Sequence, residues 1–179
     1  MKTSRIAMWS GPRNISTALM RSFENRPDTF VSDEPFYAYF LVQTGYQHPG
    51  WEEIIKSQNS NKSQIIKYLI NETHKNKSVW YQKHMTHHLL DEDDYSWIKK
   101  IKNCFLIRHP KDVIHSYTKQ FELFNSNQLG YPQQKKIYDW LCSETDYEPP
   151  IIESKELTKN PHNILKNLCE TLKIKYYKS

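Results

Sequence analysis

Cysteine, glycine and long apolar runs are all scarce in this 179-residue chain, and each shortage excludes something. The 3 cysteines, at positions 104, 142 and 169, are odd in number and far apart. Neither a disulfide framework nor a paired-cysteine metal site fits that arrangement, so buried structural thiols are expected. Apolar runs stop after four or five residues, far short of the ~20 that cross a bilayer. The opening Met1-Lys2-Thr3-Ser4-Arg5 leads into an apolar stretch that ends at Trp9, too brief for a secretory signal. A cytoplasmic protein without membrane partners is expected. No internal repeat or low-complexity tract is present, and no His/Cys cluster has metal-ligand spacing. No metal is expected.

What is there describes a globular domain. The length suits one domain, 1–179, with a proper core. Aromatics reach 13%, with 12 Tyr and 5 Trp, which supplies bulk for that core. The net charge is +5, but the lysines are scattered. Pairs such as Lys99-Lys100 and Lys135-Lys136 read as solvated faces rather than a nucleic-acid stripe. A mild positive balance also suits a small anionic ligand.

Short β-like runs alternate with longer helical patterns. Strands are predicted at 5–9, 29–32, 78–83, 103–107 and 151–153; the first is apolar almost throughout, as a buried parallel strand should be. Helices are predicted at 16–24, with Leu19, Met20 and Phe23 inward, at 61–75, and at 132–143. Another should begin at Pro110 and carry Val113, Ile114, Tyr117, Phe121 and Phe124 as its apolar stripe. A last one, capped by Asn160-Pro161, has Ile164, Leu165, Leu168, Cys169 and Leu172 inward. Segment 125–133 reads as a mobile loop. Such alternation predicts a three-layer α/β/α domain with a mainly parallel sheet of about five strands. Ligands of such sheets bind beyond the strands' carboxyl ends.

Two strand-to-helix loops carry the chemistry. The first is Ser10-Gly11-Pro12-Arg13-Asn14-Ile15-Ser16-Thr17. Backbone N–H groups at a helix start lack intrahelical partners and favour an anion. Hydroxyls of Ser16 and Thr17 and the charge of Arg13 add to that, although Ser or Thr is also an ordinary cap. A Walker A loop would need a second glycine and a lysine where Ser16 and Thr17 stand, so ATP with magnesium is disfavoured. The second turn is Phe105-Leu106-Ile107-Arg108-His109-Pro110, with Ser116 about two helical turns on. Arg108 and Ser116 can converge on one phosphate through charge-assisted hydrogen bonds.

Pro12-Arg13-Asn14-Ile15-Ser16-Thr17 resembles the 5′-phosphosulfate-binding loop of sulfotransferases, P-[KR]-[SGT]-[GS]-[ST]-[ST], with Ile15 departing from the usual small residue. The Arg108…Ser116 spacing within a strand–Arg-His-Pro–helix turn resembles that family's grip on the 3′-phosphate. The string SGPRNISTALMRSF followed by DEPFY is similar to a bacterial branch, and the resemblance covers roughly residues 5–172. It implies a P-loop NTPase-like fold and 3′-phosphoadenosine 5′-phosphosulfate (PAPS) as co-substrate, held by Gly11, Pro12, Arg13, Asn14, Ile15, Ser16, Thr17, Arg108 and Ser116. Arg13 would contact the bridging oxygen, and Ser16 with Thr17 the 5′-phosphate.

Sulfuryl transfer also needs a base. The resemblance implies Glu34, which follows the second strand, while His84 and His87 in Lys83-His84-Met85-Thr86-His87-His88 remain alternatives. Histidine has the better-placed pKa, and Asp33 is a further carboxylate. Phe36, Tyr37, Tyr39 and Phe40 either line an acceptor pocket or belong to the core. Family members usually continue into a segment covering the adenine, whereas this chain stops at Lys178-Ser179. An active enzyme with a small-molecule acceptor, an inactive nucleotide-binding relative and a kinase-like phosphotransferase are the readings in contention.

Overall fold

The structure, a computed structural model, describes residues 3–90, 92–123 and 125–178. In chain order the elements are β1 (Ser4–Ser10), α1 (Ser16–Glu24), β2 (Thr29–Asp33), α2 (Tyr37–Thr44), α3 (Trp51–Ser57), α4 (Lys62–Asn71) and β3 (Val79–Met85). They continue with β4 (Lys102–Ile107), α5 (Pro110–Tyr117), α6 (Tyr131–Glu144), β5 (Ile151–Glu153), α7 (Ser154–Lys159) and α8 (Pro161–Thr171). Single 3-10 turns lie at Thr86–His88, Ser96–Lys100 and Ser126–Leu129.

The five strands form one parallel sheet in the order β2-β3-β1-β4-β5. The period of two along β1 feeds both faces. Ile6 and Met8 meet Leu19 and Phe23 of α1 and Leu168 of α8. Ala7 and Trp9 meet Ile65 and Leu69 of α4 and Ile137 and Leu141 of α6. Helices therefore cover both sides of the sheet, the only arrangement that dries an all-parallel sheet. From β1 the chain passes left to β2 and β3 and later right to β4 and β5, so the carboxyl end of β1 is the switch point where a crevice opens.

Two buried amides fix this edge. Gln134 of α6 donates to the carbonyls of Trp9 and Leu106, each at 3.1 Å. Asn14 donates to the same Leu106 carbonyl at 3.2 Å. Gln134 thus ties the ends of β1 and β4 together, and Asn14 ties the loop after β1 to the end of β4.

Several expectations need correction. Helix α4 ends at Asn71, short of residue 75. Helix α5 ends at Tyr117, and of its expected apolar stripe Val113 and Tyr117 are buried whereas Ile114 and Phe121 are exposed; Phe124 lies outside the described residues. The stripe breaks off beyond Tyr117: Val113 and Tyr117 pack with Leu129, whereas Phe121 borders an open cleft. Segment 125–133 is not irregular throughout: an Asn125/Gln128 capping box starts a 3-10 turn, Leu129 is buried, and α6 starts at Tyr131. Asn160 occupies the N-cap of α8 without a side-chain capping bond. The sequence reading also missed α2, α3 and α7. Cys104 and Cys169 are buried and Cys142 partly so, all three unpaired. Among the described residues no helix is long and apolar enough to cross a membrane.

Candidate functional site

A cleft of about 530 Å³ opens at the carboxyl edge of the sheet, over the ends of β1, β2, β3 and β4. The loop after β1 forms one wall. Arg13 and Ile15 both take left-handed backbone angles, with φ of 61° and 58°. Alternating left- and right-handed residues turn successive N–H groups to one side, the geometry of an anion-binding nest. A β-branched residue at positive φ is strained, and such strain collects at functional sites. Ile15 is also the N-cap of α1 and carries no side-chain oxygen, so no side chain caps this helix. Its first N–H groups therefore face the cleft without an internal acceptor. Pro12, Asn14, Ser16 and Thr17 line the cleft with them. Gly11 does not; a Cβ there would stand 2.3 Å from the Leu129 carbonyl oxygen. Its lack of a side chain is what permits that close approach.

The turn after β4 comes to the same place. Arg108 donates from Nη1 to the main-chain carbonyl of Arg13 at 2.8 Å, and the Tyr131 hydroxyl donates to the carbonyl of Arg108 at 2.7 Å. Arg13 donates from Nε to Ser116 Oγ at 3.0 Å and from Nη1 to Gln120 Oε1 at 3.1 Å. The two loops, far apart in sequence, thus lock together through their arginines. Arg13, Arg108 and Ser116 all face the cleft.

The opposite wall holds the candidate bases. Glu34, at a left-handed φ of 48°, turns the chain just past β2 and donates its own N–H to the Lys83 carbonyl at 2.9 Å. Lys83 is 2% exposed, and its ammonium binds Asp33 and Glu34, each at 2.6 Å. Burying a lysine is tolerable only with such partners. Lys83 was not picked out from the sequence. The signal was a lone cation inside the apolar strand VWYQKHM, opposite an acidic pair at the end of β2.

The strand period then separates the two histidines. Lys83 and Met85 point into the cleft, so His84 points to the other face. It stacks on Trp9 with centroids 4.5 Å apart, and burial drives its pKa down to about 3. The expectation that His84 serves the reaction meets this obstacle: it lies outside the cleft, in the core. His87 does line the cleft, beside His88, and burial lowers its pKa to about 4. Both imidazoles are neutral at physiological pH. His88 stacks on Tyr37 at 4.7 Å, and Tyr37 stacks in turn on His48 at 5.5 Å. Of the four aromatics in question, Tyr37 and Phe40 line the cleft while Phe36 and Tyr39 are buried in the core. Among the described residues no group of three or more His, Cys, Asp or Glu could hold a metal ion.

Comparison with known proteins agrees with this geometry. Branched-chain-amino-acid aminotransferase-like protein 1 of Arabidopsis thaliana is 33% identical over 174 residues, 97% of this chain and 31% of that protein. The chain thus spans about a third of the length of the curated relatives it matches. Among solved structures, the sulfotransferase domain of the Synechococcus PCC 7002 olefin synthase superposes with a TM-score of 0.61 at 16% identity, covering 99% of this chain and 76% of that one. Shikimate kinase from Bacteroides thetaiotaomicron superposes with a TM-score of 0.52 at 13% identity, covering 96% and 99%. These two likenesses establish the shared P-loop-type fold. The model of the sulfotransferase domain matches residues 4–179, and the chain belongs to that family.

Proposed function

We propose that this protein moves a sulfuryl group from PAPS to a hydroxyl or amine of a small acceptor. What supports the reading most is the bond from Arg108 to the Arg13 carbonyl, which brings two anion-binding elements to one cleft. A nucleoside with phosphates at both ends needs such a pair. The uncapped start of α1 and the Arg13–Ile15 nest suit the 5′ end, where N–H donors face an anion at no further reorganisation cost. Arg108 and Ser116 suit the 3′-phosphate. Arg13, bonded to Ser116, adds its charge between the two.

When bound, the donor supplies the sulfuryl group, whose bond to the phosphate oxygen breaks as a bond to the acceptor oxygen or nitrogen forms. Glu34 takes the proton released by the acceptor. Lys83, between Asp33 and Glu34, holds that carboxylate in place and sets a positive charge beside the reacting centre. His87 is the alternative base: a neutral imidazole in the same cleft.

The test is calorimetric titration with adenosine 3′,5′-bisphosphate and, separately, ATP with magnesium, followed by transfer of labelled sulfate from PAPS to alcohols, phenols and amines. Binding of the bisphosphate and transfer of label are expected. Preference for ATP with magnesium overturns the reading in favour of phosphoryl transfer. Bisphosphate binding without transfer identifies an inactive relative.

A further inference from the structure

A second cavity of about 340 Å³ adjoins the cleft and shares Phe40, Tyr46, His87, Tyr117 and Gln128 with it. Its volume falls in the range of small-molecule sites. Glu34 borders only the first space, and Gln133 only the second. Between them stand three aromatic rings.

The chemistry of the second cavity is distinctive. Leu89 and Leu90 contribute apolar surface, while Asn125, Asn127 and Gln133 contribute neutral amides. None of its described lining residues carries a fixed charge. A charged ligand would therefore be desolvated without an ion partner, which is costly. Gln133 Oε1 and His87 Nδ1 are buried and have no hydrogen-bond partner. An amide oxygen can only accept, so a complementary ligand must bring a donor to Gln133. Unmatched buried acceptors of this kind are what give a site selectivity for a ligand hydroxyl or N–H.

We propose that this cavity is the acceptor site, and that the acceptor is an uncharged, ring-bearing alcohol with a second hydrogen-bond donor remote from the hydroxyl that is sulfated. The sulfated hydroxyl lies at Glu34, the rings lie against Phe40, Tyr46 and Tyr117, and the remote donor bonds Gln133. The assignment rests on the sulfuryl-transfer reading, and the experiment separates the two.

Calorimetry with saturating adenosine 3′,5′-bisphosphate would compare hydroquinone, 4,4′-dihydroxybiphenyl, 4-hydroxybiphenyl and 4′-hydroxybiphenyl-4-carboxylate. One of the two diols should bind about tenfold more tightly than 4-hydroxybiphenyl, the loss of one hydrogen bond to a buried acceptor. The carboxylate should bind on the order of 100-fold more weakly than the better diol. Gln133→Leu should erase the advantage of the diol while leaving bisphosphate affinity and thermal midpoint unchanged. Tyr46→Ala, at a half-open wall position, should weaken all ring-bearing ligands together. Bisphosphate binding with no preference for a diol, or with preference for the carboxylate, overturns the acceptor assignment alone. Diol binding without bisphosphate binding overturns the transfer reading and leaves the cavity's ligand class standing. Loss of both overturns both.

Discussion

Arg108 is held at both ends, its carbonyl by Tyr131 and its guanidinium by the Arg13 carbonyl, so the charge is presented without much entropy left to lose. Replacing it with alanine removes a charge-assisted contact from the site but leaves no buried group unpaired. Arg108→Ala should weaken adenosine 3′,5′-bisphosphate binding by about 1.5–3 kcal/mol, read by calorimetry, with a thermal midpoint close to that of the parent. Unchanged affinity would remove Arg108 from the site. Glu34 differs in kind, since its proposed work is on the acceptor's proton. Glu34→Gln should therefore leave bisphosphate affinity near its parent value and slow transfer by about 100-fold or more. If transfer survives at the parental rate, His87 becomes the base to test. Lys83 cannot be read in the same way. Its loss would strand Asp33 and Glu34 as well as a buried space.

The loop after β1 works only because neighbouring elements hold it. Gly11 packs against the carbonyl of Leu129 at the end of the 3-10 turn, too close for any side chain. Gly11→Ala should push that turn away and destabilise the protein by about 1–3 kcal/mol, measured as a lower urea midpoint. An unchanged midpoint would mean that the turn yields freely. Gln134 binds the same region from α6, bridging the carbonyls where β1 and β4 part. Gln134→Met keeps the size and deletes both bonds, and should cost about 1–3 kcal/mol by the same measurement. Loss of bisphosphate affinity should accompany it, because the switch point carries both loops proposed to hold the nucleotide's phosphates. Arg13, Ile15 and Glu34 sit at positive φ around one cleft, so backbone strain there is matched by these ties from α6 and the 3-10 turn.

The sheet and its two flanking layers bury histidines that the unfolded chain exposes. His84 is 2% exposed with its pKa near 3, and His88 is held well below the ordinary value, burial being the main cause in each case. In the unfolded chain both gain a proton near pH 6.5; in the fold they do not until much lower pH. The unfolded state thus binds more protons below pH 6.5. Stability is complete above that pH and is lost as pH falls toward the folded values, at up to about 1.4 kcal/mol per pH unit for each histidine. Urea unfolding between pH 6 and 4 should show this slope. In His84→Leu it should be smaller by about 1.4 kcal/mol per pH unit, and an unaltered slope would mean that His84 is protonated in the fold.

Local chemistry in the chain was enough to write the strand and helix pattern of the sheet, because apolar period and capping residues act over a few neighbours. Segments 16–24 and 151–153 match their observed bounds for that reason. That the two loops meet at one cleft follows from turns whose residues are consecutive, since Arg108 to Ser116 spans one strand exit and one helix; their phosphate-binding role is the proposal made above. What remained hidden depends on contacts between distant segments. Lys83 becomes part of the site through Asp33 and Glu34, some fifty positions earlier, once β2 and β3 pair in register. His84 is withdrawn by strand parity against Trp9, and Tyr37 and Phe40 part from Phe36 and Tyr39 when α2 settles on the sheet. Sequence spacing sets which groups each loop offers. Which of them share one cleft is set by long-range pairing and packing, whose energies no single stretch of chain contains.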